Sequence, residues 1–240
     1  MVLDQLLHLL LPNVCVVCGR LLMDSEYGCC STCMTGFDPF QNSLEAEQTL
    51  RNVIVSRFGK AVLFERGWCR YKFHKKSSLQ LAIHAMKYEG MYNLGGMFGR
   101  QLGEWMLAGG GIGDIDCIVP VPLHRLKKIE RSYNQSEKIA DGLGKSLGKP
   151  VKGKLLVRKR YTVSQTGLSA EERKINPEGA FSVVKGAAVR HVLLVDDIVT
   201  TGATLAAAAS ALFQAGVEKV SFAALAIAMK RLWPCLKGSI

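Results

Sequence analysis

The sequence contains no apolar run long enough to cross a membrane. The mainly apolar stretch Val2 to Leu11 has about half the length that a transmembrane helix needs. It also lacks the positive charge of a secretory signal, since Asp4 is the only charged residue before a Pro-Asn turn at Pro12. We therefore expect a cytoplasmic protein without a membrane span.

Acidic residues are scarce in two stretches of the chain. Between Arg51 and Lys76 there are eight Lys or Arg residues and one acid, Glu65. From Gly142 to Ala170 there is no acid, and the formal net charge is +11. This balance favours anionic partners such as phosphorylated substrates or nucleic acid, although a solvated basic face has the same composition. The alternation of aromatic and basic residues that stacking platforms for single-stranded nucleic acid need is absent.

Two Cys-x-x-Cys pairs lie near the beginning of the chain. Cys15 and Cys18 form the first pair, and Cys30 and Cys33 follow after a gap of eleven residues. This spacing predicts a structural zinc site with four thiolates. Disulfides and chance spacing are the alternatives, and a reducing cytoplasm argues against disulfides. Cys29 could replace its neighbour in the site, but Cys30 keeps the spacing of the pair and is our choice.

The rest of the sequence alternates short apolar strands with helical segments, which predicts an α/β fold with a mostly parallel sheet. We expect a zinc-binding module at 1–52 and a larger α/β domain at 53–240. Leu123 to Lys128 is interpreted as a basic loop. The predicted strands lie within Ala61–Tyr71, Ile115–Pro122, Val151–Val157, Phe181–Val184 and Val220–Met229, and the predicted helices begin at Leu79, Met91, Ser132 and Leu205.

The stretch from His191 to Thr204 has the strongest pattern in the chain. Four apolar residues form a short buried strand that runs into Asp196 and Asp197, at the end of a strand where ligands bind in open α/β sheets. Thr200-Thr201-Gly202-Ala203-Thr204 then opens a helix, and such a helix start can bind phosphate through its backbone amides. The alternative is that the Asp pair only caps the helix. It does not explain three threonines around a glycine.

This stretch closely resembles the signature of type I phosphoribosyltransferases, which bind phosphoribosyl pyrophosphate (PRPP). The whole chain is also similar to the ComF family, competence-associated proteins that join an N-terminal zinc module to a type I phosphoribosyltransferase fold. Ser132 departs from the pattern, because relatives carry glycine after the arginine. The similarity lies in the Cys pairs and the Asp-Asp-TTGAT stretch, together with Lys87–Gly90, Val119–Leu123, Arg131–Ser136, Gln165-Thr166, Arg173 and Asn176.

The resemblance implies a role for each group of residues. Asp196 and Asp197 would accept hydrogen bonds from the ribose hydroxyls, directly or through Mg²⁺, and Thr200 to Thr204 would surround the 5′-phosphate. The candidates for pyrophosphate binding are Lys87, Leu123, His124, Arg125 and Arg131. Plain alternatives are a basic loop exposed to solvent and, for Lys87, a lysine at a helix C-terminus. The segment 158–178 would be a lid with Gln165, Arg173 and Asn176, unless it is an ordinary surface loop.

Two functions follow from these assignments. The first is a Mg²⁺-dependent phosphoribosyltransferase that moves ribosyl 5-phosphate to a nitrogen nucleophile and releases pyrophosphate. The alternative is a non-catalytic protein that senses PRPP or assists the uptake of single-stranded DNA. The sequence determines neither the acceptor nor the oligomeric state, for which a homodimer is one option.

Overall fold

The computed structural model describes residues 13–58, 64–159, 179–184 and 189–229. Its elements follow one another as helices and strands that mostly alternate. In chain order they are α1 Ser31–Thr35, β1 Asp38–Pro39, α2 Ser43–Phe58, β2 Gly67–Phe73, α3 Ser78–Tyr88, α4 Tyr92–Ala108, β3 Cys117–Pro120, α5 Arg125–Arg131, α6 Gln135–Leu147, β4 Leu156–Arg158, β5 Phe181–Val183, β6 His191–Val199, α7 Ala203–Gln214 and β7 Lys219–Ala228.

A five-stranded sheet with the order β1-β2-β7-β6-β3 forms the centre of the protein. The strands β2, β7, β6 and β3 are parallel, and only the edge strand β1 is antiparallel. Val195 of β6 is paired with Pro120 of β3 on one side and with Ala223 of β7 on the other. The predicted α/β fold with a mostly parallel sheet is confirmed, and the ends of β3 and β6 lie at one edge.

The strand β6 is buried on both faces. Val192 and Leu194 belong to one core cluster, which also contains Leu50 and Ile54 of α2. Leu193 and Val195 belong to a second cluster, which includes side chains of α3, α4 and α6. Burial on both faces explains why the strand has a continuous apolar run rather than an alternating pattern.

The helices α4 and α6 pack closely against each other. A Cβ atom at Gly99 would clash with the Ile139 carbonyl oxygen, and one at Gly142 would clash with the Gly96 carbonyl oxygen. Glycine therefore lets the two backbones approach each other closely at both positions. This places the start of α6 beside the end of β6.

Three local predictions differ from the structure. Leu123 to Lys128, interpreted as a loop, runs into α5, which His124 caps. The helix predicted from Ser132 begins only at Gln135, because Asn134 caps it and Ser132 adopts the left-handed region with φ 63°. The strand predicted from Val151 begins only at Leu156, and Val151 makes a single bridge to Ile118.

The division at 52–53 stays a prediction, and we propose that the boundary lies closer to Gly36. The helix α2, Ser43–Phe58, runs across position 52. Its buried residues Leu50 and Ile54 pack in the same core cluster as the sheet.

In the described part of the chain, no helix is both long and apolar enough to cross a membrane.

Candidate functional site

The two aspartates near the end of β6 lie in a network of hydrogen bonds. Asp196 Oδ1 accepts bonds from the Ser136 hydroxyl at 3.1 Å and from the Asp197 amide at 2.9 Å. Asp197 Oδ1 accepts a bond from the Ile198 amide at 2.6 Å. The carboxylates are therefore held in fixed orientations at the edge where ligands bind in parallel sheets.

Lys87 makes an ion pair with the second aspartate. Its Nζ lies 2.5 Å from Asp197 Oδ2, and the two side chains are only 16% and 13% exposed. Lys87 lies in the last turn of α3. The structure thus brings together two predicted site residues that are 110 positions apart in the sequence (197 minus 87).

The carboxyl group of Asp196 is hard to ionise. Burial and the neighbouring charge of Asp197 raise its pKa to about 7, while the Asp197 amide, the Ser136 hydroxyl and Lys87 act in the opposite direction. Near neutral pH, Asp196 therefore exchanges a proton readily. A cationic or hydroxyl-bearing ligand would favour its ionised form.

The helix start after β6 has the form of a phosphate cradle. Gly202 has φ 74° and precedes α7, and no side chain of the described residues caps this helix as its N-cap. Among the described residues, the side-chain acceptor at its first amide is Thr201 Oγ1, which lies 3.4 Å from the Ala203 nitrogen. The interpretation that the Asp pair caps the helix is therefore wrong. The amides at the start of α7 are available to an anion.

Position 202 has no room for a side chain. A Cβ atom there would lie 2.7 Å from Cγ1 of Ile54 in α2. The positive φ and this close approach both favour glycine. The turn between Thr200 and Thr204 is thus shaped by backbone constraints. Thr200 is exposed, and Thr201 and Thr204 are half-buried.

The turn after β3 lies beside the acid pair. The Val121 amide donates to the Val195 carbonyl at 2.8 Å, which ties this turn to β6. Leu123 and His124 follow and are half-buried. His124 Nδ1 accepts a bond from the Leu126 amide at 3.3 Å, so His124 acts as the cap of α5.

Arg131 at the end of α5 is held by neutral groups. Its guanidinium donates to Gln135 Oε1 and to the Tyr88 hydroxyl, both at 3.1 Å. It also lies over the Tyr88 ring, at 5.1 Å from the centroid. Its Nε is buried without a partner, and no carboxylate of the described residues pairs with it. The positive charge of Arg131 is available to an anionic ligand.

The sequence analysis did not assign roles to three residues at the start of α6. Asn134 donates to the Val121 carbonyl at 3.0 Å and caps the helix, and Ser136 donates to Asp196. The Tyr133 hydroxyl donates to the Met86 carbonyl, next to Lys87. All three tie the turns of the site together. The sequence carries a signal for the cap, because Asn134 is a residue type that favours helix N-caps and directly precedes the helix.

Some predicted residues are not described by the structure. Gln165, Arg173 and Asn176 of the expected lid lie outside the described residues, and so does the side chain of Arg125, whose backbone begins α5.

The four cysteines of the two Cys-x-x-Cys pairs converge. The sulfurs of Cys15, Cys18, Cys30 and Cys33 all lie within 4.8 Å of one another. With Zn–S bonds of about 2.3 Å, sulfurs at the corners of a tetrahedron lie about 3.8 Å apart, and Cys18 and Cys30 are separated by 3.8 Å. The donor set therefore fits a tetrahedral metal site.

The four thiols differ in how readily they ionise: the pKa values of Cys15 and Cys30 are lowered, whereas burial and the neighbouring sulfurs raise the pKa of Cys33. Burial opposes ionisation of Cys15, but amide donors of Cys30, Cys18 and Val17 outweigh it and lower its pKa to about 6. Cys29 lies outside the cluster, and burial raises its pKa to about 12. The positions of the sulfurs therefore favour Cys30 over Cys29 as the fourth member of the cluster.

Known proteins share a domain family and sequence similarity with this chain. Residues 127–234 match the model of the phosphoribosyl transferase domain family. Competence protein F of Haemophilus influenzae is 27% identical over 220 residues, which cover 88% of this chain and 96% of that protein. DNA utilization protein YhgH of Salmonella typhimurium is 29% identical over 218 residues, with the same two coverages of 88% and 96%.

The chain is therefore similar over most of its length to a competence protein and a DNA utilization protein, as the ComF resemblance predicts. Its fold is that of type I phosphoribosyltransferases, with a cluster of four cysteines near the N-terminus. Among solved structures, the glutamine PRPP amidotransferase of B. subtilis, complexed with ADP and GMP, matches 56% of this chain at 22% identity with a TM-score of 0.39. The match covers 26% of that enzyme.

Proposed function

We propose that the protein binds PRPP together with Mg²⁺ and transfers ribosyl 5-phosphate to a nitrogen nucleophile, with release of pyrophosphate. One observation carries this proposal. Two carboxylates lie near the end of a buried parallel strand, and a helix whose N-cap residue is Gly202 follows after a Thr-Thr-Gly turn. Carboxylates suit the two ribose hydroxyls, and the free amides suit the 5′-phosphate at the adjacent position.

In the proposed reaction, the protein acts mainly through orientation and charge. Asp196 and Asp197 hold the ribose hydroxyls and stabilise the positive charge that develops at the anomeric carbon. The turn at Leu123 and His124, together with Arg125 and Arg131, binds the leaving pyrophosphate. The acceptor nitrogen attacks the anomeric carbon as the bond to pyrophosphate breaks, and its proton passes to the pyrophosphate or to solvent.

We propose two metal ions with different roles. The oxygen donors of Asp196, Asp197 and the diphosphate suit Mg²⁺, which when bound neutralises charge on the leaving group. The cluster of Cys15, Cys18, Cys30 and Cys33 suits Zn²⁺ in a structural role, because four thiolates leave no position for a substrate. Reduced thiolates of this kind are consistent with a cytoplasmic location.

The release of pyrophosphate tests this function directly. The zinc-loaded protein is mixed with PRPP, Mg²⁺ and a panel of purines, pyrimidines and amines, and pyrophosphate is measured by a coupled assay. We expect release with at least one acceptor and its loss in Asp196→Asn. If no acceptor is found, a titration with PRPP and Mg²⁺ separates a PRPP-binding protein from one that does not bind PRPP.

A second candidate function is binding of single-stranded DNA during uptake. Two relatives are named as a competence protein and a DNA utilization protein. This chain also has exposed lysines on and after α6, namely Lys145, Lys152, Lys154 and Lys159. DNA binding through phosphates predicts an affinity that falls steeply with salt. The absence of binding at low salt would exclude this function.

A further inference from the structure

The acid pair has little free coordination capacity in this structure. Three of its four carboxylate oxygens already have partners. Asp196 Oδ1 accepts hydrogen bonds from Ser136 and a backbone amide, Asp197 Oδ1 accepts one from the Ile198 amide, and Asp197 Oδ2 forms the ion pair with Lys87. Among the described residues, none donates to Asp196 Oδ2. A divalent cation usually takes several oxygen ligands from such a site. At Asp197, the ammonium group of Lys87 already occupies the position of a cation.

Lys87 is held in place for this contact. It lies at the end of α3, and the next residue, Tyr88, is fixed by Arg131 through a hydrogen bond of 3.1 Å and the stacked guanidinium. The Tyr133 hydroxyl bonds the carbonyl of Met86 on the other side. The backbone around Lys87 is therefore anchored on both sides. This limits the positions that its ammonium group can take and favours the contact with the acid pair.

We propose that Lys87 determines which ligand the acid pair accepts, by acting as an internal counter-ion that excludes free divalent cations. A divalent ion alone would be repelled by the ammonium group and would leave it without an anion. A ligand with a diol and a diphosphate supplies partners for both charged groups. Its hydroxyls, or a metal ion that it carries, bind the carboxylates, and its diphosphate pairs with Lys87. The inference rests on the proposed function only for the identity of this ligand.

The binding of a divalent cation in the absence of PRPP tests the inference. Mn²⁺ is titrated into the zinc-loaded protein at neutral pH, and bound Mn²⁺ is followed by electron paramagnetic resonance. Mn²⁺ prefers oxygen ligands and binds more weakly than Zn²⁺ to thiolates, so the cysteine cluster keeps its zinc. We expect Lys87→Met to bind Mn²⁺ at least tenfold more tightly than the natural protein. Lys87→Arg, which keeps the charge, should resemble the natural protein.

A double variant locates the bound ion. Lys87→Met with Asp197→Asn should lose the gained Mn²⁺ binding, and thermal unfolding should verify that each variant is folded. Equal Mn²⁺ affinity of Lys87→Met and the natural protein would overturn the inference. Gained binding that survives in the double variant would overturn it as well.

A parallel titration with PRPP and Mg²⁺ keeps this result separate from the proposed function. If Lys87→Met gains Mn²⁺ but the natural protein does not bind PRPP, the counter-ion role stands and the proposed function fails. If the natural protein binds PRPP but Lys87→Met gains no Mn²⁺, the proposed function stands and the inference fails.

Discussion

The two ends of β6 both carry buried or half-buried polar side chains, but they differ in how these are satisfied. At the amino end, His191 lies 2.9 Å from Asp114 Oδ1 through Nδ1 and 2.9 Å from Ser221 Oγ through Nε2. Asp114 also pairs with Lys219 at 3.1 Å. At the carboxyl end, two adjacent carboxylates share one ammonium group, that of Lys87.

The amino-end contacts have the order of a Ser-His-Asp triad, yet they are structural. Ser221 has no exposed surface and His191 is 2% exposed, so no substrate could reach the serine. The Ser221 hydroxyl also accepts the Arg66 amide at 3.2 Å, which ties β2 to β7. A buried polar network in which every group has a partner stabilises the fold.

The carboxyl end has the opposite character. Adjacent carboxylates repel each other when both are ionised, and the raised pKa of Asp196 reflects that cost together with burial. Groups that are costly in the free protein and gain partners from a ligand are typical of binding sites. We therefore propose that the amino end of β6 stabilises the fold and that its carboxyl end binds the ligand.

The largest expected effect is on activity. Asp196→Asn should lower pyrophosphate release by about 100-fold or more, because it removes charge next to the developing positive charge. Asp114→Asn at the other end of the sheet should change the rate by less than about threefold. Steady-state rates of both folded variants check this. Equal losses in the two variants would mean that the ends do not differ in function.

The next effect is on stability at the amino end. Ser221→Ala should lower the free energy of unfolding by about 1–3 kcal/mol, because it leaves His191 and the Arg66 amide each short of a buried partner. Urea unfolding followed by circular dichroism measures the change. A control is Ser210→Ala in α7, where the side chain is only partly buried and bonds the exposed Gln214. A Ser221 variant as stable as the control would contradict the structural role.

Asp196→Asn at the carboxyl end should raise the free energy of unfolding by an amount that depends on pH. The folded pKa of Asp196, about 7, lies above the unfolded value of about 4. Its contribution is therefore fully present below pH ~4 and is lost as the pH rises through about 7. Asp196→Asn avoids this loss, so at pH 8 it should be more stable than the natural protein by about 1–3 kcal/mol.

Unfolding curves between pH 4 and pH 8 measure this difference. The gap between Asp196→Asn and the natural protein should widen as the pH rises. If the stability of both proteins changed equally with pH, the ionisation of Asp196 would not destabilise the fold. This result would contradict the raised pKa of Asp196.

The smallest effect concerns acid stability at the amino end. Hydrogen bonds from His191 and Lys219 hold the pKa of Asp114 well below its usual range. A carboxylate with a lowered pKa stabilises the fold above its unfolded pKa, and this contribution is lost as the pH falls through the folded pKa. Asp114→Asn lacks it, so the variant should lose less stability than the natural protein as the pH falls below about 4. Thermal unfolding at pH 3 and pH 7 measures the two changes, and a steeper acid loss in the variant would contradict this.

The sequence was most informative where function depends on contiguous residues. The apolar run, the Asp pair and the Thr-Thr-Gly turn follow one another from His191, so strand, acids and phosphate cradle could be predicted together. The four cysteines were predictable for a similar reason, because the two short spacings limit the geometry of each pair.

Contacts between distant segments could not be predicted. The pairing of Lys87 with Asp197 and of Ser136 with Asp196 depends on how α3 and α6 pack against β6. The network at the amino end joins Asp114, His191 and Ser221, which no motif connects. The helix α5 was missed because it has no apolar face to bury: Leu126 and Ile129 are 69% and 70% exposed.

The measurement that tests the central claim most directly is calorimetric titration of PRPP with Mg²⁺ into the zinc-loaded protein and its Asp196→Asn and Asp114→Asn variants. The account predicts binding to the natural protein and to Asp114→Asn with similar affinity, and at least a tenfold weaker affinity for Asp196→Asn. Equal affinity in all three proteins, or no binding to the natural protein, would contradict the assignment of the carboxyl end of β6 as the PRPP site.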